Sequence, residues 1–83
     1  MERNDYVIVA SIITPYDTMG YLTFVENATI DMVANVVKAN YYSDSTRHGH
    51  DECEYIYSVC YGDGAYLDGS YGDGTYVMGY KFN

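Results

Sequence analysis

Apolar and polar positions change period several times along this chain. Residues 5–14 (Asp-Tyr-Val-Ile-Val-Ala-Ser-Ile-Ile-Thr) are β-branched and apolar, without Gly or Pro, and predict a strand. Tyr6, Ile8, Ala10 and Ile12 fall on one face, and Val7, Val9 and Ile13 on the other. Both faces are apolar, so the strand is expected to be covered on both sides, or to carry one covered and one adhesive face. Pro15 ends it, and 15–20 reads as a hairpin loop leading to a returning strand at 21–26. A helical period follows over 29–42, where Ile30, Val33, Ala34, Val37 and Tyr41 form one stripe. Asn27 or Thr29 is the candidate N-cap, and Asp31 suits the first turn. Val33, Val36 and Val37 are mediocre helix formers, so packing must hold this helix.

The segment 43–52 is polar and aperiodic and reads as a loop. Alternation resumes at 53–61, predicting a strand with Tyr55, Tyr57, Val59 and Tyr61 on one face and Glu54, Ile56, Ser58 and Cys60 on the other. A ribbon over 61–80 then repeats Tyr every five residues, at Tyr61, Tyr66, Tyr71, Tyr76 and Tyr80, with Asp-Gly following in three copies. Five-residue units in this number are too few for a solenoid. Asp-Gly marks tight turns, so the expected layout is a short strand near 65–67, turns at Asp68-Gly69 and Gly72-Asp73-Gly74, and a last strand at 75–82. In that strand Tyr76, Met78, Tyr80 and Phe82 are expected to share a face. The expected fold is α+β: a single two-layer domain over 1–83, with one helix packed on a four- to five-stranded antiparallel sheet.

Composition narrows the function. The chain has 83 residues, room for one small domain with little interior for a deep catalytic cleft. A non-catalytic binding protein is the expectation. Twelve acids against four Lys plus Arg give a net charge of −8, the wrong sign for direct nucleic-acid binding. The 48% hydrophobic content argues against a disordered acidic tail. No run of about 18 apolar residues predicts a membrane span, and no secretory signal pattern opens the chain. A soluble protein of the cytoplasm is expected, and Asn27-Ala28-Thr29 reads as a helix start rather than a glycosylation site.

Candidate chemistry is sparse. Cys53 and Cys60 are seven apart, so on one strand they face opposite ways and read as reduced thiols. His48, His50, Cys53 and Cys60 are possible zinc ligands by type, but their spacing fits no usual pattern. A Cys/His catalytic pair among them has nothing to fix it. The Asp-Gly units lack the alternate acids and terminal Glu of an EF-hand and the Gly-Lys-Ser/Thr of a P-loop. No cofactor is expected.

Charge and tyrosine are the stronger signals. From His48 to Tyr80 no Lys or Arg occurs, while Asp51, Glu52, Glu54, Asp63, Asp68 and Asp73 do. Such carboxylates can stand in for phosphates and pair with a partner's Arg and Lys. The bland alternative is a solvated acidic face. Of twelve Tyr, Tyr6, Tyr21 and Tyr41 are expected in the core, because the chain has no Trp and two Phe to fill it. Tyr61, Tyr66, Tyr71 and Tyr76 are the expected contact residues, since Tyr offers area at low entropy cost. The competing reading makes the Tyr/Asp-Gly ribbon a calcium- or carbohydrate-binding element.

The run Tyr6-Val-Ile-Val-Ala-Ser-Ile-Ile, the return Gly20-Tyr-Leu-Thr-Phe-Val-Glu and the helix entry Ala28-Thr-Ile-Asp-Met-Val-Ala-Asn-Val-Val resemble the opening strand-strand-helix of small phage-encoded anti-CRISPR proteins. The resemblance is one of organisation over 5–42, and the ribbon at 61–80 has no counterpart in it. It implies an inhibitor without catalysis; a host cytoplasm is the expected location, and the chain is expected to be a monomer or homodimer. The implied partner is a host CRISPR effector complex or another nucleic-acid-binding protein, gripped at its DNA-binding face.

Overall fold

The computed structural model describes residues 2–62 and 76–83. Within them the chain forms β1 (Asn4–Ile13), β2 (Thr18–Ala28), α1 (Ile30–His48), β3 (Glu54–Tyr61) and β4 (Tyr76–Phe82). The four strands make one antiparallel sheet in the order β2-β1-β3-β4. Strands β2 and β3 flank β1 and run the same way, so the chain between them must travel back along the sheet. Helix α1 is that return, laid on one face, and the result is an α+β domain with one helix on a four-stranded sheet.

Register decides which residues form the core. Tyr6, Ile8, Ala10 and Ile12 of β1 stand opposite Tyr61, Val59, Tyr57 and Tyr55 of β3. Apart from Tyr61, which is exposed, these residues are buried, together with Val33 and Val37 of the helix, Ala28 and Cys53. Tyr41 lies half-buried, its ring stacked on Phe82 with centroids 4.1 Å apart. The other sheet face carries Val7, Val9 and Ile13 with Leu22, Ile56 and Cys60 beside them. No described helix covers it; Val7 is buried, whereas Val9 and Ile13 are half-buried.

Several boundaries differ from the sequence expectation. The hairpin loop is shorter, because β2 begins at Thr18; Thr14 and Asp17 close the turn through Thr14 N–H to Asp17 C=O at 2.9 Å. The helix starts after the Thr29 cap, whose Oγ1 accepts from Met32 N–H at 3.3 Å. It then continues six residues past 42, through most of the expected loop 43–52. Asp44 and Ser45 occupy the core-facing stripe there, and polar residues in a core stripe hide the helical period. Gly49 ends the helix at φ 81°, a conformation suited to glycine, and its N–H returns to Ser45 C=O at 2.8 Å.

A register irregularity lies between Val59 and Cys60, where β4 pairs Met78 with Val59 but Tyr76 with Cys60. Val77 and Met78 consequently both pack toward the helix-side core, and Tyr76 turns to the other face. Tyr76 therefore does not share a face with Met78, Tyr80 and Phe82. The expected strand near 65–67, both Asp-Gly turns and the ribbon residues Asp63, Tyr66, Asp68, Tyr71 and Asp73 lie outside the described residues.

Candidate interaction surface

The central polar feature is a buried carboxylate. Asp44 of α1 accepts two phenol hydroxyls at the same oxygen, Oδ2: Tyr21 of β2 at 2.6 Å and Tyr57 of β3 at 2.7 Å. Hydroxyl donors this close to an anion make short, strong hydrogen bonds, which is how a carboxylate is held in a small core. Burial and the neighbouring Asp44 charge push both phenols well above the ordinary tyrosine value. Tyr21, expected in the core, keeps 37% of its surface exposed because it sits on an edge strand and reaches inward only with its hydroxyl. Beside this cluster, Asn40 donates to Thr23 Oγ1 at 3.1 Å. Tyr55 donates to the Gly49 carbonyl, tying β3 to the helix end.

A shallow groove of about 510 Å³ opens where the helix ends. The β1–β2 loop forms one wall with Tyr16 and Asp17, and Arg47, His48, Asp51, Glu52 and Cys53 form the other. Tyr16 is 94% exposed at its rim. Asp17, Asp51 and Glu52 are all exposed, and Glu52 adopts φ 62° in the tight turn that follows Gly49. Tyr16 and Asp17 escaped sequence reasoning because Pro15-Tyr-Asp reads only as a turn. Glu54, expected to join the acidic face, instead pairs with Lys81 across the strand at 3.3 Å. Lys81 lies just beyond the cation-free stretch in sequence but next to Glu54 in the sheet.

The expected tyrosines lie elsewhere. Tyr61 is at the far end of β3, about 23 Å from Glu54 at the usual rise per residue. Its ring stacks on Tyr6 with centroids 5.4 Å apart, and it is 44% exposed on the helix side. Tyr76 is 62% exposed on the opposite face, with its ring lying over Gly79. Asp51 and Glu52 at one end therefore do not form a single surface with Tyr61 and Tyr76 at the other. The end near Tyr61 has its own exposed acids, Glu2, Asp5, Glu26 and Asp31.

The candidate chemistry of the thiols changes little. Cys53 and Cys60 are both free. Cys53 Sγ lies 3.9 Å from the His48 carbonyl oxygen, to which its thiol donates. Burial raises the Cys60 thiol above its ordinary value. Among the described residues no group of His, Cys, Asp and Glu is arranged to hold a metal ion, and no helix is long and apolar enough to cross a membrane. Comparison with protein-family models, curated proteins and solved structures gives no match.

Proposed function

We propose that this protein is a non-catalytic inhibitor that binds a basic, nucleic-acid-handling partner of the CRISPR effector kind and hinders its access to DNA. The observation that carries this reading is the distribution of uncompensated charge. The net charge is −8, Glu54 is paired with Lys81, and exposed acids gather at both ends of the sheet. At one end three acids, Asp17, Asp51 and Glu52, and one Arg, Arg47, line a groove rimmed by an almost fully exposed Tyr16. Carboxylates beside an exposed aromatic suit Arg and Lys side chains, through ion pairing and through contact with the ring face. Surplus like charge is unfavourable for a compact domain, and a cationic partner offsets it on binding.

The test is capture of a purified CRISPR effector complex on tagged protein, washed at low and high salt, with and without target DNA. Binding that is lost at high salt and competed by DNA is expected. Asp51→Lys with Glu52→Lys, and separately Asp63→Lys, Asp68→Lys and Asp73→Lys, probe the two acidic sets. At least one combination should abolish binding while the melting temperature holds. Undiminished binding by both sets removes the acidic mechanism. Capture that DNA does not compete removes the blocking of DNA access. No capture at either salt removes the partner class.

A further inference from the structure

A second groove, of about 280 Å³, opens at the end of the sheet away from Tyr16, lined by Glu2, Asn4, Tyr6, Ile30, Tyr61 and Val77. Its wall is an aromatic stack. Tyr6 is buried in the core, and Tyr61 lies on it with ring planes 24° from parallel. One face of Tyr61 is thus backed by Tyr6, while the residue keeps 44% of its surface exposed. Ile30 and Val77 add half-buried aliphatic surface beside the stack. The polar lip is tied to the same wall. Asn4 Nδ2 donates to Glu2 Oε1 at 2.9 Å and to the Tyr6 hydroxyl at 3.5 Å, which orients the Glu2 carboxylate beside the rings.

Charge decides what such a groove would take. Asp5, Glu26 and Asp31 are exposed at the same end as Glu2. The chain has four Lys and Arg. Lys81 pairs with Glu54 at the far end of the sheet, Lys38 lies midway along α1, and Arg47 lies in its last turn. Arg3 is the one cation at this end, and its guanidinium donates to the Asn27 carbonyl at 2.8 Å. The N-terminus of α1, next to Ile30, carries positive partial charge, but Thr29 caps it and Asp31 in the first turn opposes it. The end is therefore complementary to a cation that also has an apolar stem.

We propose that this groove binds an arginine side chain of the basic partner. Its guanidinium stacks on the outer face of Tyr61 and pairs with Glu2, and its methylenes lie against Ile30 and Val77. Arginine suits the site better than lysine, because a planar guanidinium stacks on a ring and forks onto a carboxylate at once, whereas an ammonium is a compact point charge. The proposal rests on the reading above only for the basic nature of the partner, and it names a contact separate from the Tyr16 groove.

The test is a nuclear magnetic resonance titration of the protein, at low salt, with the peptide acetyl-Gly-Arg-Gly-amide and with its lysine counterpart. The arginine peptide should give saturable shifts at millimolar concentration in the Tyr61 ring, the Asn4 side-chain amide and the backbone amides of Ile30 and Val77. The lysine peptide should bind several-fold more weakly. Tyr61→Leu should weaken arginine binding about fivefold, and Tyr61→Phe, which keeps the ring, should restore it. Glu2→Gln should weaken it at least as much, while Glu52→Gln, an equal loss of charge at the other end, should leave it unchanged. Should Tyr61→Leu fail to fold, the exposed Glu2 and Glu52 variants decide. Absence of saturable shifts at these groups overturns the proposal. So does equal binding of the two peptides, or an equal response to Glu2→Gln and Glu52→Gln. Arginine binding here without capture of an effector complex supports the groove and removes the partner class proposed above. Capture of an effector complex without arginine binding here does the reverse.

Discussion

Replacing Tyr57 by Phe tests the buried carboxylate most directly. The ring stays, so packing against Phe82 and the helix is preserved, and only the hydroxyl that reaches Asp44 Oδ2 at 2.7 Å is lost. Asp44 then keeps Tyr21 alone, at 2.6 Å. A hydrogen bond to a charged, buried acceptor contributes about 1.5–3 kcal/mol. For a domain of this length each kcal/mol corresponds to roughly 4–8 °C, so a loss near 2 kcal/mol lowers Tm by about 8–16 °C. Tyr21→Phe should cost less, about 0.5–1.5 kcal/mol, because water reaches that side of the pair. The two donors share one oxygen, so the double variant should cost more than the sum of the singles by about 0.5 kcal/mol or more. Thermal and urea melts followed by circular dichroism at neutral pH read all three, with an unchanged urea slope marking a pure stability effect. A Tm within about 2 °C for Tyr57→Phe refutes the argument, as does a larger loss for Tyr21→Phe than for Tyr57→Phe.

Burial raises the phenols of Tyr21, Tyr55 and Tyr57 above their ordinary value of 10.0. The unfolded chain therefore releases those protons first, so stability is intact below about pH 10 and falls as pH rises beyond it. Absorbance titration of phenolate should show these three ionising together with unfolding, and their ionisation in the folded chain near pH 10 would contradict the structure. Thr29→Ala removes the cap that receives Met32 N–H and should cost about 1 kcal/mol, read as a lower Tm with no change in fold.

Long apolar runs made β1 and β3 legible, because alternation survives wherever one sheet face is buried. The helix was legible only as far as its stripe stayed apolar. Asp44 belongs to the same stripe as Val33, Val37 and Tyr41, yet it reads as loop because its two phenol partners are far away in sequence. Nothing in a single chain reports that Tyr21 and Tyr57 will satisfy it. The face of Tyr76 was hidden for a related reason: parity counting assumes unbroken pairing, and the irregularity at Val59/Cys60 reverses it. Glu54 illustrates the limit of charge counting along a chain. Its cation, Lys81, is distant in sequence and adjacent through the sheet.

The same geometry constrains how an acidic surface would be used. Helix α1 spans 19 residues, about 28 Å, and the exposed acids gather at or beyond its two ends rather than along its middle. Duplex DNA spreads a charge every ~1.7 Å over such a distance. Continuous imitation of a phosphate backbone is therefore not what the described residues offer; they offer two anionic ends joined by the body of the sheet. Asp17, Asp51 and Glu52 form one. Glu2, Asp5, Glu26 and Asp31 form the other, and both anchors of the chain carrying Asp63, Asp68 and Asp73, namely Gly62 and Tyr76, lie at that same end. A partner that needs both ends must present cations about 28 Å apart and should lose binding when either acidic set is reversed. A partner that needs one end should ignore the other set altogether, so the two reversals measure the span of the contact as well as its charge.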